Sequence, residues 1–337
     1  MTGDSSINFI LAEMTHLRYF CPLIEAANRI GAGSIVFVRK SGKYNCPVTI
    51  PRNKSLLEAY SSKLSFELRP IDQFTTNTDL TFLVEGVGTK FVKLPGSTVS
   101  LTYMSDFTHL FDGYKDHVCN TVFMSPIFAS TYDKEHPNNL YLSSPKYDIV
   151  DRLTKNALQV KAELLPGVTD KTVLIFAPRL RDVGKIDLKK LYSDLKMCGI
   201  TVLFKTRNKD SFRAIRDRVC DHYFEDEEWY PHTSMSLVAA CDFVINFSST
   251  AVEECVAFRK PLINFHIKPF EKHFPFLYSH SYCHQMSPAY SFDELKDSIE
   301  YMLEESHKQS FLQCWADNEL DFPRNSSELL LGRFLGT

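Results

Sequence analysis

The stretch "NFSSTAVEECVAFRKPLINFH", from Asn246 to His266, sets three hydroxyl residues, Ser248, Ser249 and Thr250, directly after an apolar strand, and two glutamates, Glu253 and Glu254, about one helical turn later. Free N–H groups at a helix start and the positive end of its dipole favour an anion, and hydroxyls add donors. The same residues also suit plain helix capping, with Ser248 or Ser249 as N-cap and Thr250 to Glu253 at capping-box spacing. The two uses are compatible. A second set of groups lies upstream, where "LIFAPRLRDVG" carries Arg179 and Arg181 and "ITVLFKTR" carries Lys205 and Arg207. All four fall at or just past the carboxyl ends of predicted strands, the end at which parallel sheets bind ligands. Guanidinium groups pair bidentately with phosphate oxygens. One strand-end Arg or Lys commonly just faces solvent, so the clustering carries more weight than any member.

The elements that must position these groups alternate along the chain. In the first half, apolar runs at 7–13, 34–40, 80–86, 97–104 and 120–126 read as strands, with helical spacing in "LRYFCPLIEAANRIG" and "SLLEAYSSKLSFELRP" between them. Strands begin again at 171–179, 200–207, "HYFED", "DFVINFS" and 261–266, separated by the helical segments "DLKKLYSDLKMCG", "DSFRAIRDRV", "HTSMSLVAAC" and "STAVEECVAFR". Strands separated by crossover helices pair in parallel and have both sheet faces covered. The expected fold is therefore α/β, with two Rossmann-like domains facing across a cleft: 1–150, 151–320, and a tail at 321–337 returning to the first. "SFDELKDSIEYMLEESHKQSFLQCWADNE" reads as amphipathic helix.

Composition agrees and excludes some partners. The chain has 337 residues, 44% hydrophobic and 23% charged, enough for about two domains of roughly 150 residues. A net charge of −3 provides no basic field for nucleic acid. Nine cysteines, an odd number without a CxxC pair, lie partly in apolar runs such as "LVAACDFVINF", the usage of reduced thiols. The N-terminus lacks a basic n-region and no run of about 20 apolar residues occurs, so a cytoplasmic chain without a membrane span is expected. No internal repeat is visible.

The order strand, S-S-T, x, x, E-E, five residues, K-P, strand resembles the donor half of GT-B glycosyltransferases and their relatives, the UDP-N-acetylglucosamine 2-epimerases and CDP-glycerol glycerophosphotransferases. "LIFAPRLRDVG" is similar to the A-H-R-x-E-N-x-G turn of the epimerases and the A-P-T-x-R turn of the glycerophosphotransferases. "EMTHLRYFCPLIEAANRIG" and "SSPKYDIVDRL" resemble, more weakly, the epimerase opening and the segment between domains. The resemblance implies Ser248, Ser249 and Thr250 at a diphosphate, joined by Arg179, Arg181, Lys205 and Arg207, and Glu254 at the ribose. There are departures. Pro178 stands in place of the epimerase's catalytic His, Val87 in place of its carboxylate, and Tyr103 and Asp106 occupy the region of the glycerophosphotransferases' H-G. Loss of an epimerase's acid and base groups argues against that activity.

What remains is sugar transfer from a nucleotide-diphosphate donor, of UDP or GDP type, to a hydroxyl of a glycan or similar acceptor. An inverting enzyme needs a base for that hydroxyl. His16 is the first choice for its ordinary pKa of about 6.5, Asp106 the second and Glu85 the third. A helix-start histidine without a role is the plain alternative. The acidic run "FEDEEWY" reads as a solvated loop near the base, with Phe224 or Trp229 available to stack. No obligatory metal or cofactor is expected, and His266, His273, His280 and His284 lack zinc spacing. Two other readings stand beside this one: transfer of a CDP-alcohol or CMP-sugar group, and a non-catalytic nucleotide- or glycan-binding protein.

Overall fold

The computed structural model describes residues 6–39, 51–75, 79–85, 93–102, 120–123, 139–206, 212–247, 249, 251–265, 288–289, 291–304 and 324–336. The chain divides into two compact units, residues 1–149 with 322–337 and residues 150–321.

The first unit is a parallel sheet of β1 (Ser6–Leu11), β2 (Gly33–Val38), β3 (Glu67–Pro70), β4 (Thr81–Val84), β5 (Thr98–Leu101), β6 (Asn120–Phe123) and β7 (Asn139–Tyr141), in the order β3-β2-β1-β4-β5-β6-β7. Successive side chains of a strand point to opposite faces, so a fully apolar strand needs cover on both. β1 has it. Phe9 packs against Phe82 and against Phe20 of α1 (Leu17–Arg29), at ring separations of 5.7 and 5.3 Å. Its neighbour Ile10 joins Phe37 and Leu83 on the other face, under Ile71, Phe74 and Leu94.

The segment expected as one helix through "FELRP" splits in two. α2 (Pro51–Leu64) stops at Ser65, whose φ of 53° is left-handed, and the chain leaves as β3. The two short strands β3 and β7 lie at or near sheet edges, where few apolar residues are needed, and their sequences carry no strong alternation. At the other end of the chain, α9 (Ser326–Leu335) is anchored on this unit: the Ser326 and Ser327 amides donate to the Asp148 carboxylate at 2.9 and 2.8 Å. Burial pushes the Asp148 carboxyl up to about 6, against the opposing pull of these donors.

The second unit opens with α3 (Val150–Lys155) and α4 (Ala157–Leu164). Its parallel sheet comprises β8 (Thr172–Phe176), β9 (Thr201–Lys205), β10 (His222–Phe224), β11 (Phe243–Phe247), β12 (Leu262–Phe265) and β13 (Pro288–Ala289), in the order β10-β9-β8-β11-β12-β13. α5 (Leu188–Met197), α6 (Thr233–Ala240), α7 (Val252–Ala257) and α8 (Phe292–Leu303) complete it. Residues 213–218, expected as α-helix, form a 3₁₀ turn with no buried side chain, so no apolar face holds a longer helix there. Lys260, of the Lys-Pro pair, donates to the carbonyls of Ala239 and Cys241 at 3.3 and 2.5 Å, neutralising the C-terminal end of α6.

Both sheets are doubly wound, α/β and Rossmann-like. In each, strand order reverses at one place, between β1 and β4 in the first unit and between β8 and β11 in the second. Chain segments diverge to opposite sides at such a point and leave a crevice outside the carboxyl ends of the strands.

Candidate active site

In the second unit, the segment after β8 and the turn after β11 flank the reversal point. Arg179 is half-buried and extended, φ −66° and ψ 146°, at the start of a 3₁₀ turn over Leu180–Lys185. Arg181 on that turn is exposed, with Nε 3.6 Å from Asp182 Oδ2. Asp182 is itself held by Lys185 at 2.7 Å.

After β11 the chain turns through a pattern that the sequence reading missed. The Ser249 amide donates to Asn246 Oδ1 at 3.2 Å, and Asn246 Nδ2 donates to the Ser249 carbonyl at 3.1 Å and to Asn264 Oδ1 at 2.8 Å. Asn246 and Asn264 are register partners on β11 and β12 and both are buried. A signal was present: "INF" occurs in both apolar strands, and a buried amide inside a strand must find partners. The expected N-cap at Ser248 or Ser249 is not what forms. The N-cap of α7 is Ala251, without a side-chain cap, and Ser249 Oγ accepts from the Ala251 amide at 3.4 Å. Ser248, Thr250 and Arg207 lie outside the described residues.

Two expected ligand groups are taken up by the protein itself. Lys205 is 5% exposed, lies 2.5 Å from Asp226 Oδ1 and donates to the Thr206 carbonyl, so it is a buried ion-pair member rather than an open phosphate cation. Glu254 is 3% exposed, with Oε2 2.5 Å from the Ser234 hydroxyl. The acidic loop is likewise built in more than a solvated run would be. Glu225 pairs with Arg213 at 2.5 Å, Asp226 meets Lys205, and Trp229 is a core side chain 5.4 Å from the His232 ring, which removes it as an exposed stacking platform. Trp229 was misplaced because charge on its N-terminal side outweighed its own apolar area. Phe224, at the end of β10, keeps a partly open surface.

In the first unit, His16 follows β1 and Glu85 follows β4, so the two flank that sheet's reversal point. Both are buried. His16 precedes α1 with its ring edge-on to Phe20 at 6.2 Å, and its Nδ1 has no hydrogen-bond partner among the described residues. Burial, reinforced by the Arg18 charge, lowers its pKa to about 3. The ordinary value assumed from sequence is thus overturned: the imidazole is neutral at working pH, and its conjugate acid is too strong for efficient base catalysis unless a bound anion raises it. Glu85 has φ 49°, a left-handed conformation costing a non-glycine residue on the order of 1–2 kcal/mol, which clusters at functional sites. Asp106, Tyr103, Val87 and the histidines 266, 273, 280 and 284 lie outside the described residues.

A histidine whose folded pKa is depressed from 6.5 to about 3 contributes stability that is full above pH 6.5 and is lost as pH falls towards 3. Asp148, raised from 3.8 to about 6, favours the folded state in its protonated form, so its contribution is full below 3.8 and falls away as pH rises through 6. The comparison must therefore be between variants. Between pH 7 and pH 5, wild-type protein should lose roughly 2 kcal/mol of unfolding free energy more than His16→Gln, read from urea titrations. Equal losses in both proteins overturn the assignment.

Four of the described cysteines are buried thiols rather than thiolates. Burial pushes Cys241 up to about 11 and Cys220 up to about 12, and raises Cys21 and Cys255 strongly. Among the described residues no three His, Cys, Asp or Glu side chains converge on a metal position, and no helix is long and apolar enough to cross a membrane.

No protein-family model matches the chain, and no curated protein matches it. Solved structures do. The wall teichoic acid polymerase TagF is similar with a TM-score of 0.66 at 12% identity, over 99% of this chain and 89% of that one. HepE from Anabaena, in complex with UDP and glucose, is similar with a TM-score of 0.54 at 13% identity, over 98% and 99%. The spinosyn rhamnosyltransferase SpnG, complexed with thymidine diphosphate, gives 0.54 at 12%, over 98% and 100%. Likeness at these identities is likeness of fold alone.

Proposed function

We propose that this chain is a glycosyltransferase of the GT-B type that moves a sugar from a nucleoside-diphosphate donor to a hydroxyl of a glycan or similar acceptor. The observation that carries the reading is the placement of the Arg179 segment and the Asn246–Ser249 turn on either side of the β8/β11 reversal, where an α/β sheet binds ligands. Arg179 with Arg181 neutralises the diphosphate, and the departing nucleotide is stabilised by these charges without an obligatory metal. Phe224 lies beside the base. The donor belongs to the second unit and the acceptor to the first, where Glu85, or His16 once bound anion raises its basicity, takes the acceptor proton. HepE and SpnG, similar throughout, were solved with UDP and thymidine diphosphate, which supports a pyrimidine diphosphate donor.

A second reading has its own support: TagF, also solved after soaking with CDPG, is matched at a TM-score of 0.66, above the 0.54 of the two sugar-transferase examples. Transfer of a CDP-activated alcohol would use the same site. The test is thermal stabilisation of the purified chain by UDP, TDP, GDP, CDP, CMP and ADP, with and without magnesium. Specific binding at 100 times Kd stabilises by about 2.7 kcal/mol, a shift of several degrees. A shift with UDP or TDP is expected. Preference for CDP selects the second reading, dependence on magnesium removes the metal-independent mechanism, and a flat panel overturns nucleotide use altogether.

A further inference from the structure

β11 and β12 are apolar strands apart from one asparagine in each, Asn246 and Asn264, and the two are register partners only 1% and 2% exposed. Asparagine is depleted in strands, and a buried amide costs stability unless its donors and acceptor are met. Packing alone would favour an apolar residue at either position. Asn246 instead commits its amide to a turn. Its Oδ1 accepts from the Ser249 amide at 3.2 Å, one Nδ2 hydrogen goes to the Ser249 carbonyl at 3.1 Å and the other to Asn264 Oδ1 at 2.8 Å.

Groups with fixed roles set the orientation of that amide. A backbone N–H only donates and a backbone carbonyl only accepts, so Oδ1 must face the Ser249 amide and Nδ2 the Ser249 carbonyl. Both Nδ2 hydrogens are then placed, and a flipped amide would lose these bonds. One side chain thus holds both backbone polar groups of Ser249, and Asn264 ties it to the neighbouring strand. The Ser249 carbonyl also accepts from the Val252 amide at 3.3 Å, and the Ser249 hydroxyl accepts from the Ala251 amide at 3.4 Å. A hydroxyl that accepts from a backbone amide keeps its own proton to donate. Asn246 is also the register partner of Phe176, the last residue of β8, from which the chain continues into Arg179.

We propose that Asn246 is a positioning residue: together with Asn264 it fixes the Ser249 turn before any ligand arrives, so that the Ser249 hydroxyl stands ready as a donor at the β8/β11 reversal. The buried amide pair is retained for this placement and not for packing. A fully satisfied polar network of this kind rigidifies the segment it joins. The consequence for ligand rests on the nucleotide reading above: a turn fixed in advance orders no backbone on binding, and a donor already in place needs no reorientation to meet a phosphate oxygen. Loss of Asn246 should therefore be felt at the phosphate end of the ligand and not at its base.

The first measurement uses the full chain without nucleotide. By NMR, the Ser249 amide and both Asn246 Nδ2 protons should exchange slowly with solvent in the wild type. Asn246→Ala should speed Ser249 exchange roughly 100-fold while Val244 and Ile245 of β11 stay protected. Fast exchange of the Nδ2 protons in the wild type overturns the proposal even if the variant fails to fold. The second measurement compares UDP with uridine, which lacks the phosphates. Asn246→Ala should weaken UDP binding roughly 10-fold and leave uridine binding unchanged, whereas loss of a residue that only stabilises the unit would weaken both. Asn264→Ala, which keeps both bonds between Asn246 and Ser249, should have a smaller effect. Equal losses for UDP and uridine, or no loss for UDP, overturn the positioning role. Binding of neither by the wild type fails the nucleotide reading instead, and the exchange rates still decide whether Asn246 holds the turn.

Discussion

Arg179→Ala is expected to weaken nucleoside-diphosphate binding by roughly 10- to 100-fold, in titrations of the purified chain with UDP or TDP. A charge-assisted hydrogen bond contributes about 1.5–3 kcal/mol, and each 1.4 kcal/mol is tenfold in affinity. The other described cations at this sheet end are placed differently from Arg179. Lys205 is buried against Asp226, and Arg181 is exposed beside Asp182. Arg179 is half-buried at the reversal point, where a fixed guanidinium can bond two oxygens. Arg179→Lys should recover only part of the loss, because an ammonium cannot reproduce the planar fork. Arg181→Ala should change affinity by only a few fold. Melting without nucleotide separates loss of binding from loss of folding. Unchanged affinity in a folded Arg179→Ala protein removes this residue from the site.

Asp226→Ala is expected to destabilise the chain by about 3–5 kcal/mol, because it leaves the Lys205 ammonium buried without its counter-charge. The pair as a whole is worth less than that figure suggests. Removing both charges, in Lys205→Met with Asp226→Leu, should recover most of the loss, since a buried ion pair and a well-packed apolar pair of similar volume differ little in stability. Urea unfolding of the wild type, the single variant and the double variant decides it. A double variant as unstable as Asp226→Ala would mean that Asp226 acts chiefly through its other neighbours, His232 among them.

The frame was legible because it depends on local pattern. Apolar runs such as "TVLIF" and "DFVINF" have no solvated face, so only a sheet covered on both sides accommodates them. β3 escaped notice because "ELRP" at a sheet edge carries little apolar signal and directly follows a helix. At the site, the residues legible as donors and acceptors were real polar groups, but their partners were not. Glu254 and Ser234 are twenty residues apart, and Lys205 and Asp226 twenty-one. Nothing in the spacing of either pair announces a contact. Asn246, His232 and Ser234 were passed over for the same reason, each being unremarkable until its neighbour is known.

The sequence by itself determined the two α/β halves, the carboxyl-end location of the Arg179 and Ser249 segments, and the start of the chain around His16, because strand and helix periods are written in consecutive residues. Tertiary structure alone decided which of those polar groups are buried and satisfy one another. Burial converts His16 to a neutral imidazole, claims Lys205 for Asp226 and Glu254 for Ser234, and sends Trp229 into the core. The physical reason is that solvation and hydrogen-bond partnership are properties of three-dimensional neighbourhood, and a charge taken from water must either find its counterpart or change its protonation.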